Sequence, residues 1–209
     1  VLTAKASAPF LKGVDMSFLF NKLSRFYDVF MNITGLSNED LLLQYIGDIE
    51  GLKVADIGGG TGTLAKILYN RRAEVTIIDP STSMTEIALR KCPGLNIINA
   101  GAENIPVEDN FYDVVCIRDC LHHISRWQDC VNEASRILKP GGRIVIQEFK
   151  PGSLISKFIY IFERSLGEKT VLIEPELLVE KVGFNGIFGE IINVSSFEYV
   201  FSGVKNGEI

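Results

Sequence analysis

Five short apolar runs constrain the fold of this chain more than any other feature: LKVADI (52–57), EVTIID (74–79), LNIINA (95–100), YDVVCIRD (112–119) and RIVIQEF (143–149). Each is nearly continuous in Val, Ile and Leu rather than alternating, the pattern of strands buried on both faces. Segments of helical spacing lie between them at 63–71, 81–91 and 125–138. Strand and helix taking turns require right-handed crossovers, and those build a parallel sheet. The end of the chain departs from this rhythm. A helix over 175–182 stops at Gly183, and GIFGEIINV (186–194) and SFEYVFSGV (196–204) follow closely enough to pair as a hairpin, which predicts an antiparallel edge. Ahead of the first run, 18–33 and 38–49 carry helical spacing, with Ser37 as an N-cap and Asp40 three residues on.

The chain has 209 residues, enough for one domain, and 46% apolar content is enough for a core. A net charge of −5 argues against nucleic acid as the main partner, because phosphate binding wants a basic surface. Cys92, Cys116, Cys120 and Cys130 form no CxxC pair and read as reduced thiols of a cytoplasmic protein rather than zinc ligands. No stretch has the makings of a signal peptide, and none approaches the roughly 20 apolar residues that span a bilayer. Met16 makes a natural start, so residues 1–15 read as an appended or mobile arm, 16–50 as a helical cap and 51–209 as the main domain, with a helical insert at about 151–173.

Within that frame, Asp56-Ile57-Gly58-Gly59-Gly60-Thr61-Gly62 falls between the first strand and its helix. A helix N-terminus offers free N–H groups and partial positive charge, and glycine lets a ligand meet the backbone. The dinucleotide fingerprint G-x-G-x-x-G fails here, since Thr63 stands where its third glycine belongs. The spacing is D-x-G-x-G-x-G. Asp79, at the end of the second strand, is placed to accept both hydroxyls of a ribose.

These residues, with AGAENIPVEDNFYDVV (100–115) and RILKPGGRIVIQEF (136–149), resemble the class I S-adenosylmethionine-dependent methyltransferases. GGTG, LKPGG and the strand ending in EF look like the C-methyltransferases of ubiquinone and menaquinone biosynthesis, and FNKLSRFYDVFMN (20–32) is similar to that group's N-terminal signature. The resemblance implies a Rossmann-like α/β fold: a mostly parallel seven-stranded sheet with an antiparallel C-terminal hairpin edge and an N-terminal helical cap. It implies S-adenosyl-L-methionine as cofactor. Gly58, Gly60, Thr61 and Gly62 would approach its methionine part and ribose, Asp56 its amino group or a bound water, and Asp79 the ribose. Pro80 and Met84 would lie near the adenine, Gly101 and Ala102 at the adenine edge, and Arg118 beside the sulfonium. Many relatives carry Asp or Asn where Gly101 stands, so adenine contact would fall to backbone groups or to Glu103.

Methyl transfer from a sulfonium needs alignment and exclusion of water, and a base that deprotonates a phenolic acceptor helps. RDCLHH (118–123), after the fourth strand, holds both histidines of the chain, which makes His122 and His123 the candidate bases. Tyr27 is a third candidate, closing over the cofactor from the N-terminal helix. A metal is not expected, because adjacent histidines rarely share an ion and no third ligand is evident. On a helical wheel of SLISKFIYIFERSL (153–166), Lys157, Tyr160, Glu163 and Arg164 gather on one side and apolar residues cover the rest. That helix either packs on the sheet edge or walls an apolar substrate at a membrane surface. The expected function is methyl transfer to a small, hydrophobic acceptor, for which a prenylated quinol ring carbon is the leading candidate. An NAD-dependent oxidoreductase and a non-catalytic cofactor-binding regulator are the alternatives, and the acceptor atom and oligomeric state stay open.

Overall fold

The computed structural model describes residues 39–165 and 169–207. Its strands are β1 (Lys53–Ile57), β2 (Glu74–Ile78), β3 (Asn96–Ile98), β4 (Tyr112–Arg118), β5 (Leu138–Phe149), β6 (Ile187–Asn193) and β7 (Glu198–Lys205). Its helices are α1 (Glu39–Ile46), α2 (Thr63–Asn70), α3 (Thr82–Lys91), α4 (Trp127–Ile137), α5 (Leu154–Ser165) and α6 (Pro175–Phe184). The seven strands form one sheet in the order β3-β2-β1-β4-β5-β7-β6. The pairs β1 with β2, β1 with β4, β2 with β3 and β4 with β5 run parallel, and β7 runs antiparallel to both β5 and β6. The mostly parallel sheet and its antiparallel C-terminal hairpin are therefore as the sequence predicts. Ser37, the N-terminal helical segment over 18–33 and Tyr27 lie outside the described residues.

Strand parity divides the core. Ala55, Ile57, Val115, Ile117, Ile144 and Ile146 face α4 and α6, where Val131, Ala134, Leu178 and Val182 are buried. Val54, Val114, Cys116 and Val145 face the other way, against Leu42, Leu43 and Ile46 of α1 and Leu64, Ala65 and Leu68 of α2. Both faces of the central strands are thus covered, which is why their sequences are apolar without alternation.

Two local expectations change. Residues 139–142, between the expected helix over 125–138 and the expected strand over 143–149, form a bulge within β5: Tyr112 pairs with Leu138, and Val114 already pairs with Arg143. A Cβ on Gly142 would lie 2.7 Å from Leu138 Cδ1 and 2.9 Å from the Asp113 carbonyl oxygen, so only glycine closes the bulge, and Lys139 Nζ reaches Asp113 Oδ1 at 2.6 Å across it. The helix expected to stop at Gly183 runs on to Phe184. Nothing crowds Gly183, and the left-handed turn comes at Gly186 instead, with φ 72°.

The order of strands changes direction between β1 and β4, since β1 leads outward to β2 and β3 while the chain then returns to the opposite side. Ligands of such sheets bind in the crevice at the carboxyl ends of the strands flanking this point. Here those ends carry Gly58 and Asp119.

Candidate active site

After β1 the backbone takes left-handed conformations at Gly58, Gly60 and Gly62, with φ of 70°, 51° and 76°. The glycines serve different purposes. A Cβ on Gly58 would fall 2.1 Å from Cys120 Sγ, and one on Gly62 would fall 2.7 Å from the Ala88 Cβ on α3. Those two are required by the protein's own packing. A Cβ on Gly60 would make only ordinary contacts, with Met84 Sδ at 3.5 Å and the Gly58 carbonyl oxygen at 3.9 Å, so it is the position where a ligand can approach the backbone. Thr61 is buried beside it.

Asp79 is buried at the end of β2 and ties the loop together. Its Oδ2 accepts the Gly60 N–H at 3.0 Å and its Oδ1 the Ser81 N–H at 2.8 Å, while the Gly58 N–H donates to the Ile78 carbonyl at 2.8 Å. Ser81 caps α3, and its side chain accepts from the Met84 N–H. Burial raises the Asp79 carboxyl above the usual range, opposed by these two backbone donors. Asp56 lies deeper, at the end of β1. Its Oδ2 is buried with no hydrogen-bond partner, and burial pushes the carboxyl up to about 7 against the nearby Arg118 charge. A buried carboxylate oxygen without a donor is costly unless a ligand supplies one.

Pro80 is exposed at the rim, and Met84 is half-buried beside it. Ala102 points into the core, whereas Gly101 leaves a space that Glu103 fills, its Oε2 3.2 Å from where a Cβ on Gly101 would stand. A carboxylate thus occupies the place of the acid that Gly101 lacks. The loop beneath is held by Arg136, which donates to the Val107 and Ile105 carbonyls and to Glu133 and Asp109.

After β4, Asp119 adopts a left-handed φ of 48°, unusual for a residue with a side chain, and turns the chain into a 3₁₀ turn at Leu121–His123. Asp119 Oδ1 is buried without a partner, and burial holds its carboxyl near 7 despite Arg118. The turn is pinned by Glu148 of β5. Glu148 Oε1 accepts the Cys120 and Leu121 N–H groups at 3.0 and 2.6 Å, and Oε2 bonds His122 Nδ1 at 2.7 Å. His122 is fully buried; burial opposes its charge, but Glu148 and Glu163 raise it to about 10. His123 is one-third exposed, and burial together with the adjacent His122 charge lowers it to about 4. Their surroundings thus favour the charged form of His122 and the neutral form of His123.

Glu163 corrects the helical-wheel reading of α5. Expected on the polar side with Lys157, it is buried against the histidines, and its Oε2 accepts from Thr170 Oγ1 at 3.0 Å. The outward side carries exposed apolar residues, Leu154 at 83%, Phe158 at 61% and Ile161 at 65%, together with Lys157 and Arg164, while Ile159 is buried on the same side as Glu163. Sequence reasoning also assigned no role to Glu148 or Asp119. An acid inside the apolar run RIVIQEF was the available signal for Glu148, because a buried carboxylate must have partners.

Residues 55–146 match the family model of a methyltransferase domain. The chain is 30% identical over 153 residues to a demethylmenaquinone methyltransferase of Tropheryma whipplei (strain Twist), covering 70% of this chain and 64% of that one. It is 32% identical over 158 residues to a ubiquinone/menaquinone biosynthesis C-methyltransferase UbiE of Idiomarina loihiensis, covering 69% and 63%. The chain therefore spans a little under two thirds of the length of these relatives. Among solved structures, a S-adenosylmethionine-dependent methyltransferase from Thermotoga maritima superposes with a TM-score of 0.72 at 19% identity, over 90% of this chain and 99% of that one. Phosphoethanolamine N-methyltransferase 2 of Haemonchus contortus, in complex with S-adenosyl-L-methionine, gives 0.70 at 20% identity, over 80% and 52%. Neither the oxidoreductase nor the non-catalytic alternative finds support in these relatives. Residues 55–146 thus carry a methyltransferase domain, and the chain is similar to class I S-adenosylmethionine-dependent methyltransferases of the ubiquinone and menaquinone biosynthesis type.

Proposed function

We propose that the protein transfers a methyl group from S-adenosylmethionine to a small acceptor with an apolar tail, a prenylated quinol ring carbon being the leading assignment. One observation carries this reading. Two buried carboxylates, Asp56 and Asp79, close around a left-handed glycine loop at the switch point of the sheet, and Asp56 Oδ2 lacks a donor. When bound, the cofactor supplies a methyl group already activated by its positive sulfur. Asp56 would take the amino group, and Asp79, with lone pairs left after its two backbone bonds, the ribose hydroxyls. Gly58, Gly60, Thr61 and Gly62 would line the methionine and ribose. Pro80 and Met84 would flank the adenine, with Gly101, Ala102 and Glu103 along its edge and Arg118 near the sulfur.

His123, partly exposed and shifted toward its neutral form, is the candidate base for the acceptor hydroxyl, while the adjacent His122, held by Glu148, positions it. Tyr27 keeps a catalytic role on the resemblance alone. The relatives named for menaquinone and ubiquinone methylation support a quinol acceptor. The apolar outer face of α5 supports contact with a tail or with a membrane surface holding it. Among the described residues no helix is long and apolar enough to cross a membrane. The four free thiols and the net charge of −5 support a cytoplasmic site of action and a small-molecule partner rather than nucleic acid.

Calorimetric titration with S-adenosylmethionine, S-adenosylhomocysteine and NADH tests the cofactor, and a screen of quinols with and without prenyl tails tests the acceptor. Binding of NADH alone overturns the reading. Asp79→Ala is expected to weaken S-adenosylmethionine binding at least about tenfold, ~1.4 kcal/mol, through loss of charge-assisted bonds to ribose and a looser Gly60 loop. Unchanged affinity removes Asp79 from the site. Replacing Phe158 and Ile161 together by Asp is expected to raise KM for a prenylated quinol about tenfold, through apolar contact worth ~1.4 kcal/mol. A tail-less quinol should not notice the change; equal loss for both acceptors removes α5 from tail recognition.

A further inference from the structure

His122, His123 and Glu163 aim three donor atoms at one point. His122 Nε2 stands 3.7 Å from Glu163 Oε1, and His123 Nε2 stands 3.8 Å from the same oxygen. All three donor atoms lie within 4.8 Å of one another. Separations of that size are too long for hydrogen bonds. His122 Nε2 and Glu163 Oε1 are buried and have none, although every other polar atom of these two side chains is satisfied. The gap between these two buried atoms is one that a shared cation would bridge, taking the place of the proton on His122 Nε2. A tetrahedral ion about 2.0–2.1 Å from nitrogen and oxygen donors holds them about 3.3–3.5 Å apart, so the two His–Glu separations need to close by a few tenths of an ångström, and the His–His separation, within 4.8 Å, by at most about 1.5 Å.

We infer that His122, His123 and Glu163 bind one divalent transition ion of the zinc class, with its remaining position open to an oxygen ligand.

The surroundings fit that assignment. Glu148 Oε2 accepts from His122 Nδ1, which leaves Nε2 as the ligating atom and fixes the ring, the usual carboxylate support of a metal-bound imidazole. Thr170 holds the other oxygen of Glu163. The 3₁₀ turn brings the two adjacent imidazoles together, their ring centres 4.1 Å apart and tilted by 46°. Two imidazoles and one carboxylate suit zinc, cobalt or ferrous iron rather than calcium or magnesium, and three protein ligands leave a site open. His123, partly exposed, gives the ion a way in. The third ligand, which adjacent histidines alone do not provide, comes from the buried face of α5. The same turn begins at Cys120, packed against Gly58 of the cofactor loop, so an acceptor oxygen on the open position would sit beside that loop. In the ion-bound form His122 has given up its Nε2 proton and His123 ligates the ion instead of acting as the base; this use of the site rests on the methyltransferase reading. Its capacity to bind the ion does not.

The test uses the full chain stripped with a chelator and dialysed. Zn²⁺ is titrated calorimetrically, and Co²⁺ is followed by visible absorption. The expected result is one ion per chain, with the intense visible bands of a low-coordinate Co²⁺ site and no thiolate charge-transfer band. Because the chain has two histidines in all, the His122→Ala/His123→Ala double variant removes every imidazole. His123→Ala and Glu163→Gln should each weaken Zn²⁺ binding at least about a hundredfold, whereas Cys120→Ser should not. Circular dichroism and S-adenosylhomocysteine affinity report folding, and if Glu163→Gln fails to fold, the partly exposed His123 position decides. Equal Zn²⁺ affinity in His123→Ala overturns the site, as does a thiolate band that Cys120→Ser abolishes. Methyl transfer by a chain that binds no ion also overturns it and leaves the function intact. An ion bound without methyl transfer to any acceptor upholds the site and overturns the function.

Discussion

Glu148→Ala should lower the stability of the protein by about 3–5 kcal/mol, the cost of leaving one partner of a buried charge pair unpaired. Glu148 is 1% exposed, and its two oxygens satisfy the Cys120 and Leu121 N–H groups and His122 Nδ1. Alanine leaves two buried donors and a buried imidazolium without an acceptor. For a chain of this size the melting temperature should fall by roughly 10 °C. Glu148→Gln keeps an oxygen for the backbone groups but withdraws the charge, so its loss should be smaller. The His122→Ala/Glu148→Ala double variant should be more stable than the two single losses added together, because the unpaired charge disappears with the ring. Thermal unfolding of the unmodified protein, Glu148→Ala, Glu148→Gln, His122→Ala and the double variant measures this directly. A loss below about 1 kcal/mol in Glu148→Ala means that Glu148 does not hold the histidine turn.

The distribution of such roles shows what the sequence carries and what it hides. The strands were legible because burial on both faces leaves a contiguous apolar run, and the hairpin edge because two such runs stand only a few residues apart. The glycine loop was legible as a junction. Its separate reasons were not, since the neighbours that forbid a Cβ at Gly58 and Gly62 are Cys120 and Ala88, from distant stretches of chain. The helical wheel of α5 correctly grouped Glu163 apart from the apolar residues, but a wheel shows which residues share a face and not which face turns inward. Glu163 turns inward with Ile159, toward the two histidines, and Leu154, Phe158 and Ile161 face out beside Lys157 and Arg164. Likewise, His122 and His123 were visible as candidates by position, while their opposite electrostatic characters arise from partners elsewhere in the chain: Glu148 and Glu163 raise His122 against its burial, whereas burial and the adjacent His122 charge lower His123. Single-segment patterns reveal elements. Carboxylate partnerships across elements appear only when the sheet is assembled.

Asp56 provides the second large effect, and it is one of pH. Its folded carboxyl titrates near 7, raised from 3.8 chiefly by burial, with Arg118 opposing and Asp79 adding to the rise. A group raised in this way favours the folded state fully below its unfolded value and loses that contribution as pH climbs through about 7. On the proposed placement, the ammonium group of S-adenosylmethionine meets Asp56 only as a carboxylate. Binding must then expel a proton below pH 7, and affinity should rise with pH between about 5 and 7, by up to tenfold per unit, before levelling. Above about pH 8 the cofactor's own amino group, of ordinary pKa near 8, loses its charge and affinity should fall again. Calorimetry in buffers of different ionisation enthalpy counts the released proton. Asp56→Asn should abolish both the slope and the proton release, and the neutral amide should bind the cofactor more weakly at pH 7.5. Asp79 also lies above its ordinary value, so a slope that survives in Asp56→Asn would pass the titration to the ribose carboxylate. A flat profile in the unmodified protein would instead mean that Asp56 stays clear of the cofactor charge, and the crevice beside β1 would need another purpose for its unpaired oxygen.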